Sequence, residues 1–140
     1  MADKKNIASD SGKFKSKILL VEDDKMLADM YITKFSKEGL KVIRAEDGAQ
    51  GLEIAKKEKP DLILLDIIMP KLDGFAVLRE LKKDPSMGST HILLLTNLGQ
   101  SEDVEKGQEL GADDYFIKAN HTPAEIVEKV KYLLTKREKK

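Results

Sequence analysis

Polar residues stand at the ends of four short apolar runs in the 140-residue sequence. Such runs are typical of strands buried on both faces in a parallel sheet, where functional sites form beyond the carboxyl ends of the strands. The polar residues are Glu22, Asp23 and Asp24 after the first run, Asp66 after the third, Thr96 after the fourth and Lys118 after the fifth. We therefore expect one cleft lined by carboxylates, a hydroxyl and an ammonium group.

The chemistry of this set points to phosphoryl transfer. Carboxylates crowded into one crevice repel each other unless a cation joins them, and a small oxygen-only ligand set favours Mg²⁺, with Mn²⁺ as the alternative. Asp66 is then placed as a nucleophile that forms an acyl phosphate. Lys118 would pair with one phosphoryl oxygen, and the Thr96 hydroxyl would donate to another.

The elements that must position these residues alternate along the chain. Apolar runs cover residues 18–21, 42–43, 62–65, 92–95 and 115–117. The segments between them have helical periodicity, as Leu27, Tyr31 and Phe35 show in the first one. Five strand–helix units with short connections predict an α/β fold, in which right-handed crossovers place a parallel sheet between two helix layers.

Residues that favour helix starts support these boundaries. Asp24 is interpreted as a helix cap or a solvent-facing charge beside the acidic pair. Ser101 is the candidate cap of the fourth helix. Thr122, Pro123 and Glu125 supply a cap, a first-turn proline and a capping-box acid for the fifth.

Composition narrows the classes of function. Lys and Arg number 25, and Asp and Glu also number 25, so the formal charge of zero argues against direct nucleic-acid binding. With no cysteine and two histidines, a metal site must be built from oxygen ligands. No segment resembles a membrane span or a secretory signal, so we expect a cytoplasmic protein without membrane contact.

The length fits one domain with one hydrophobic core. We expect this domain at residues 17–136, after a flexible polar arm at residues 1–16 and before a frayed basic end at residues 137–140. No output domain would then follow, so the chain is either stand-alone or a piece cut from a larger protein.

Four motifs resemble the receiver domain of two-component response regulators. They are ILLVEDD at 18–24, DIIMPKLDG at 66–74, LLT at 94–96 and GADDYFIK at 111–118. The resemblance extends from Lys17 to about Lys136, and the Asp-x-x-Met-Pro-x-x-Asp-Gly pattern is highly specific. It implies the flavodoxin-like (βα)5 sandwich, with a parallel sheet in the order 2-1-3-4-5 and the site between the first and third strands.

The resemblance also implies a role for each site residue. The phosphoryl-transfer residues would be Asp66 as acceptor, Thr96 and Lys118. The implied metal site consists of Asp23 as a direct ligand, Glu22 acting through water, Asp66 and the carbonyl of Ile68. Thr96 and Tyr115 would form the coupled switch pair, in which the hydroxyl moves toward the phosphoryl group while the ring turns inward.

A few positions depart from the family pattern or modify its chemistry. Ala119 replaces the usual proline, and because a cis bond before alanine costs about 2.5 to 4 kcal/mol, we expect a trans peptide. Asn97 replaces a small residue and either narrows access to the phosphoryl group or hydrogen-bonds to it. Ile68 and Leu98 are apolar where the family flanks the path of the hydrolytic water, so we expect slow self-dephosphorylation.

These features predict a signalling switch and not an enzyme with a separate substrate. A sensor histidine kinase or a phosphotransfer protein would phosphorylate Asp66. A downstream protein would then bind the face built from the fourth helix, fifth strand and fifth helix, and the switch would be a monomer or a phosphorylation-dependent dimer.

Two alternatives are open. A phosphorylation-independent binding module with the receiver fold is suggested by Ala119 and Asn97. An aspartyl-phosphate hydrolase is disfavoured because that class needs a second acid where Ile68 stands.

Overall fold

The computed structural model of this protein describes residues 16–138, with side chains described as far as residue 135. Five strands lie in this part of the chain: β1 (Lys17–Val21), β2 (Lys41–Ala45), β3 (Leu62–Leu65), β4 (His91–Thr96) and β5 (Asp114–Ile117). They alternate with five helices: α1 (Lys25–Lys37), α2 (Gly48–Glu58), α3 (Gly74–Lys82), α4 (Ser101–Glu109) and α5 (Pro123–Glu138). Short 3₁₀ turns cover Pro85–Met87 and Lys118–Asn120. The predicted alternation of strands and helices is confirmed.

The strands form one parallel sheet in the order β2-β1-β3-β4-β5. The predicted fold class and strand order are therefore confirmed. At the carboxyl end of β1, Val21 is in register with Ala45 on one side and with Leu65 on the other. Because the chain runs outward from β1 to β2 and then returns to β3, a crevice opens between β1 and β3 where the strand order reverses.

Helices cover the sheet on both faces because successive strand residues point to opposite sides. Ile18 and Leu20 pack in one cluster with side chains of α1 and α5, whereas Leu19 and Val21 pack in a second with side chains of α2 and α3. Central strand β3 is buried throughout, and residues Leu62–Leu65 are each 0% exposed. This strand provides a fixed support for the residue that follows it.

Side-chain caps begin most of the helices. Asp24, Asp47 and Asp73 each accept a hydrogen bond from the backbone N–H three residues later, at the starts of α1, α2 and α3. The cap predicted at Asp24 is thereby confirmed. At α5, the Thr122 hydroxyl oxygen accepts from the Glu125 N–H at 3.1 Å, and the Glu125 carboxylate accepts from the Thr122 N–H at 2.8 Å. This is the predicted capping box.

Helix α4 begins differently from the prediction. Ser101 is its first helical residue and not its cap; the preceding Gln100 makes no side-chain cap bond. Glu102 and Asp103 occupy the first turn instead, where negative charge interacts favourably with the helix dipole.

The sequence predicts domain ends at residues 17 and 136. Ser16 is buried, and its carbonyl accepts from the Lys41 N–H at 3.2 Å, so the chain contacts β2 just before β1 begins. The remainder of the predicted arm lies outside the described residues, while α5 continues to Glu138. These domain boundaries stay predictions. Between residues 16 and 138, no helix is both long enough and apolar enough to span a bilayer.

Candidate functional site

A cleft of about 320 Å³ lies at the carboxyl ends of the central strands. It is lined by Glu22, Asp23, Asp24, Leu27, Asp66, Ile68, Thr96, Asn97 and Lys118. All the polar residues singled out at the strand ends are among them. The parallel sheet thus brings together groups that are as much as 96 residues apart in sequence.

Lys118 joins two buried carboxylates in this cleft. Its Nζ donates to Glu22 Oε1 at 2.8 Å and to Asp66 Oδ2 at 3.1 Å. Glu22 is 3% exposed and Asp66 is 7% exposed, so bulk salt screens these ion pairs little. Glu22 Oε2 also accepts from the Asp24 N–H at 3.1 Å, which fixes the glutamate from its other side.

Burial and neighbouring charge act on these groups in opposite senses. Burial raises the pKa of Glu22 above its usual range, and the hydrogen bond from Lys118 only partly offsets this effect. Burial alone would lower the pKa of Lys118, but the hydrogen bond to Glu22 and the charge of Asp66 outweigh it and raise the pKa. Lys118 is therefore positively charged at neutral pH.

Asp23 adds a third carboxylate to the cleft. One oxygen from each of Glu22, Asp23 and Asp66 lies within 4.8 Å of the others, and Asp23 is the exposed member of the group. Three carboxylates face one ammonium group here, so the cluster has a negative charge that a divalent cation would neutralise. Hard cations such as Mg²⁺ and Mn²⁺ prefer oxygen ligands of this kind, and the residues fit such an ion.

The loop after β3 packs closely against Asp66. The Ile68 N–H donates to Asp66 Oδ1 at 3.4 Å, and the Gly74 N–H donates to the Ile67 carbonyl at 2.8 Å. A Cβ atom at Gly74 would overlap the carbonyl oxygen of Asp66, so glycine is needed where α3 starts against the strand end. The Ile68 side chain is 60% exposed at the rim of the cleft.

Thr96 and Tyr115 both bond to the backbone of Leu98. Thr96 Oγ1 accepts from the Leu98 N–H at 3.3 Å, and the Tyr115 hydroxyl donates to the Leu98 carbonyl at 2.7 Å. The Tyr115 ring lies against Gly107 of α4, where a Cβ atom would come within 3.0 Å of the ring. Burial, with the charges of Asp103 and Asp66, raises the pKa of Tyr115 to about 12, so its hydroxyl keeps its proton.

The departures from the family pattern have local consequences. Every peptide bond between residues 16 and 138 is trans, as expected at Ala119, and Lys118 nevertheless reaches both carboxylates. Asn97 is exposed and lines the cleft. Leu98 instead packs against the core cluster that contains side chains of α2 and α3. Of the two apolar positions expected beside the hydrolytic water, Ile68 therefore lines the cleft and Leu98 does not.

Arg44 is a contact of the site that is not predicted from the sequence. From β2, its Nε and Nη2 donate to the Glu22 carbonyl at 3.1 and 3.0 Å, and Nη2 also donates to the Asp23 carbonyl at 3.2 Å. The available signal is a charged residue within the otherwise apolar stretch Val42–Ala45. The length of the side chain and the β1–β2 register decide that it reaches the backbone of the loop after β1.

Comparison with known proteins identifies relatives of this sequence. The family model of the response regulator receiver domain matches residues 18–131. A probable transcriptional regulator ycf27 of Guillardia theta is 38% identical over 125 residues, covering 89% of this chain and 48% of that protein. The DNA-binding dual master transcriptional regulator RpaA of Synechocystis is 39% identical over 102 residues, covering 73% of this chain and 42% of that protein.

A solved structure extends the likeness to three dimensions. The crystal structure of a CheY-like response regulator receiver domain protein from Methanospirillum hungatei matches with a TM-score of 0.80 at 29% identity. The match covers 89% of this chain and 97% of the solved one. By contrast, the chain spans about half the length of the curated relatives it matches.

The relatives contradict one prediction. The zero formal charge argues against a nucleic-acid partner, yet RpaA is named a DNA-binding regulator and the ycf27 protein a probable transcriptional regulator. The prediction is wrong because a charge balance reports only on the residues counted, and these relatives contain about as much sequence again outside the matched region. Nucleic acid is therefore not excluded as a partner.

Proposed function

The chain belongs to the family of response regulator receiver domains, signalling switches of two-component systems, and we propose that it acts by accepting a phosphoryl group on Asp66. The principal support is the setting of that carboxylate. Asp66 is buried, its Oδ2 lies 3.1 Å from Lys118 Nζ, and its neighbours supply the oxygen ligands that a divalent cation needs. The donor is a phosphohistidine of a sensor kinase or of a phosphotransfer protein.

The covalent step exchanges one bond to phosphorus for another. An Asp66 carboxylate oxygen attacks phosphorus while the P–N bond of the donor breaks, and the imidazole nitrogen keeps the electron pair and takes up a proton from water. Lys118, which donates to Asp66 at 3.1 Å, would contact an oxygen of the transferred group. Mg²⁺ bound by Glu22, Asp23, Asp66 and the Ile68 carbonyl would neutralise phosphoryl charge.

The backbone of Leu98 connects Thr96 in the cleft with Tyr115 of β5, and so connects the acyl phosphate with the surface. Thr96 accepts from the Leu98 N–H through its oxygen, so its hydroxyl proton is available to a phosphoryl oxygen. Movement of Thr96 toward that oxygen would disturb the backbone of Leu98, to which the Tyr115 hydroxyl is also bonded. We propose that this shared backbone couples Thr96 to Tyr115 and changes the face formed by α4, β5 and α5.

Phosphorylation by acetyl phosphate, followed by intact mass spectrometry, tests the proposal. In Mg²⁺ the wild-type chain should gain one phosphoryl mass, and in EDTA it should gain none. Asp66→Asn should gain none in either condition. Asp29→Asn is the matched control, since it makes the same change at an exposed α1 carboxylate that pairs with Lys25 outside the cleft, and it should react like the wild type.

A receiver-fold module that binds partners without phosphorylation is the second candidate, suggested by Asn97 at the cleft. It predicts no mass gain in wild-type protein under conditions in which the chain is folded and binds Mg²⁺. A wild-type chain that binds Mg²⁺ yet stays unmodified would favour this candidate over the switch. The cytoplasmic location and the slow self-dephosphorylation expected from the sequence stay predictions.

A further inference from the structure

The loop of residues 22–24, which joins β1 to α1, leaves the sheet at the cleft, and its carboxylates line that cleft. The Glu22 N–H donates to the Ala45 carbonyl at 3.1 Å, which is the last backbone bond between this loop and β2. In the described part of the chain, no backbone N–H donates to the carbonyls of Glu22 and Asp23. Arg44 supplies their hydrogen bonds instead, two to Glu22 and one to Asp23.

The two acids depend on this loop to different degrees. The Glu22 side chain is fixed by its own contacts, because it accepts from Lys118 and from the Asp24 N–H. The Asp23 carboxylate is exposed and makes no hydrogen bond within residues 16–138. Its position is therefore set by the backbone that bears it. Arg44 holds this backbone at the Asp23 carbonyl, and Glu22 Oε2 holds it at the Asp24 N–H.

We propose that Arg44 is a positioning residue for the divalent-cation site, an inference that rests on the proposed function. Its planar guanidinium bridges two consecutive carbonyls and keeps the Asp23 carboxylate near those of Glu22 and Asp66. Residues that orient metal ligands typically contribute a factor of about 10 to 100 to metal affinity. We call the hydrogen bonds from the Arg44 guanidinium to the Glu22 and Asp23 carbonyls the Arg44 fork. We expect loss of this fork to weaken cation binding by about tenfold.

The charge of Arg44 acts in the opposite direction from this positioning. A guanidinium beside the cleft repels a bound cation, so a variant that only lost the charge would bind the cation more tightly. A variant that lost the fork would bind it more weakly. The sign of the change in affinity therefore separates the two roles.

Two substitutions of Arg44 make the distinction experimentally. Arg44→Met removes both charge and fork, whereas Arg44→Lys keeps the charge and replaces the fork by a single ammonium group. Arg79→Met is the matched control, since Arg79 is an exposed arginine of α3 that does not line the cleft. The dissociation constant of Mn²⁺ is measured on the full chain by electron paramagnetic resonance of the free ion, with melting followed in parallel in EDTA.

We expect Arg44→Met and Arg44→Lys both to raise the Mn²⁺ dissociation constant by about tenfold, while Arg79→Met leaves it unchanged. Equal or tighter binding by Arg44→Met would overturn the inference. A lower melting midpoint with an unchanged dissociation constant would also overturn it, because that result would mean that Arg44 only stabilises the fold. Failure of the wild type to bind Mn²⁺ would instead refute the cation site in the proposed function.

Discussion

Replacing Lys118 by methionine tests whether the cleft is built around a buried ammonium group. Lys118→Met keeps a side chain of similar length but removes the charged hydrogen bonds to Glu22 at 2.8 Å and to Asp66 at 3.1 Å. Those carboxyl side chains are only 3% and 9% exposed. They would then lie in one cleft without a counter-charge.

The structure sets the size of the effect. A hydrogen bond to a charged group contributes about 1.5 to 3 kcal/mol, and a buried ion left without its partner costs about 3 to 5 kcal/mol. Because water enters the open cleft and one carboxyl group takes up a proton, we expect the lower end, about 3 kcal/mol. For a domain of this size, the melting midpoint falls by roughly 10 °C. Saturating Mg²⁺ should reduce the loss by supplying positive charge to the carboxylates.

Urea unfolding followed by circular dichroism, in EDTA and in Mg²⁺, measures this loss. Lys131→Met is the matched control: Lys131 also contacts two glutamates, Glu38 at 2.7 Å and Glu128 at 3.6 Å, but its side chain is 40% exposed. Solvent screens those pairs, so the control should unfold almost like the wild type. If Lys118→Met unfolds at the wild-type urea concentration in EDTA, the buried ion cluster is refuted.

Three further changes test other parts of the site. Gly74→Ala places a Cβ atom against the Asp66 carbonyl, so unfolding in urea should show a loss of about 1 to 3 kcal/mol; an unchanged midpoint would contradict the close approach. Ile68→Asn puts a polar group at the rim of the cleft and should shorten the lifetime of phosphorylated protein measured by intact mass, whereas an equal or longer lifetime would argue against control by this position. Because folding raises the pKa of Tyr115 to about 12, its contribution to stability is fully present below about pH 10 and is lost as the pH rises toward 12. Between about pH 10 and pH 12, the free energy of unfolding of Tyr115→Phe, measured in urea titrations, should therefore fall less than that of the wild type. Equal losses in the two proteins would mean that the Tyr115 phenol lies in water.

The positions of the strands and of the cleft residues follow from the sequence. Consecutive apolar residues such as Leu62–Leu65 indicate a strand covered on both sides, and the sheet is indeed packed between helices. Parallel strands end along one edge, so Asp66 and Lys118 meet although 52 residues separate them. The capping residues at Asp24 and Thr122 are equally local signals, since each bonds to a backbone N–H three residues later.

Contacts that depend on side-chain reach and loop path are not predicted from the sequence. Arg44 is two strands away from Asp66 in the sheet, and only the β1–β2 register shows that its guanidinium reaches the loop after β1. The link between Thr96 and Tyr115 runs through the backbone of Leu98, and a backbone contact of this kind leaves no pattern in residue types.

Helix α4 shows a second limit of local patterns. A serine before a helical segment favours a cap, but here the chain already has helical geometry at Ser101. Its hydroxyl therefore lies one position too late to accept the first free N–H groups. Boundaries of this kind depend on how the preceding loop packs.

The proposed switch requires that Asp66 itself receives the phosphoryl group. Sodium borohydride reduces an acyl phosphate to a primary alcohol, so reduction after reaction with acetyl phosphate and Mg²⁺, followed by peptide mass spectrometry, locates the modified carboxyl group. This assignment predicts homoserine at position 66 and unmodified side chains at Glu22, Asp23 and Asp24. Reduction at one of those three acids, with Asp66 intact, would contradict it.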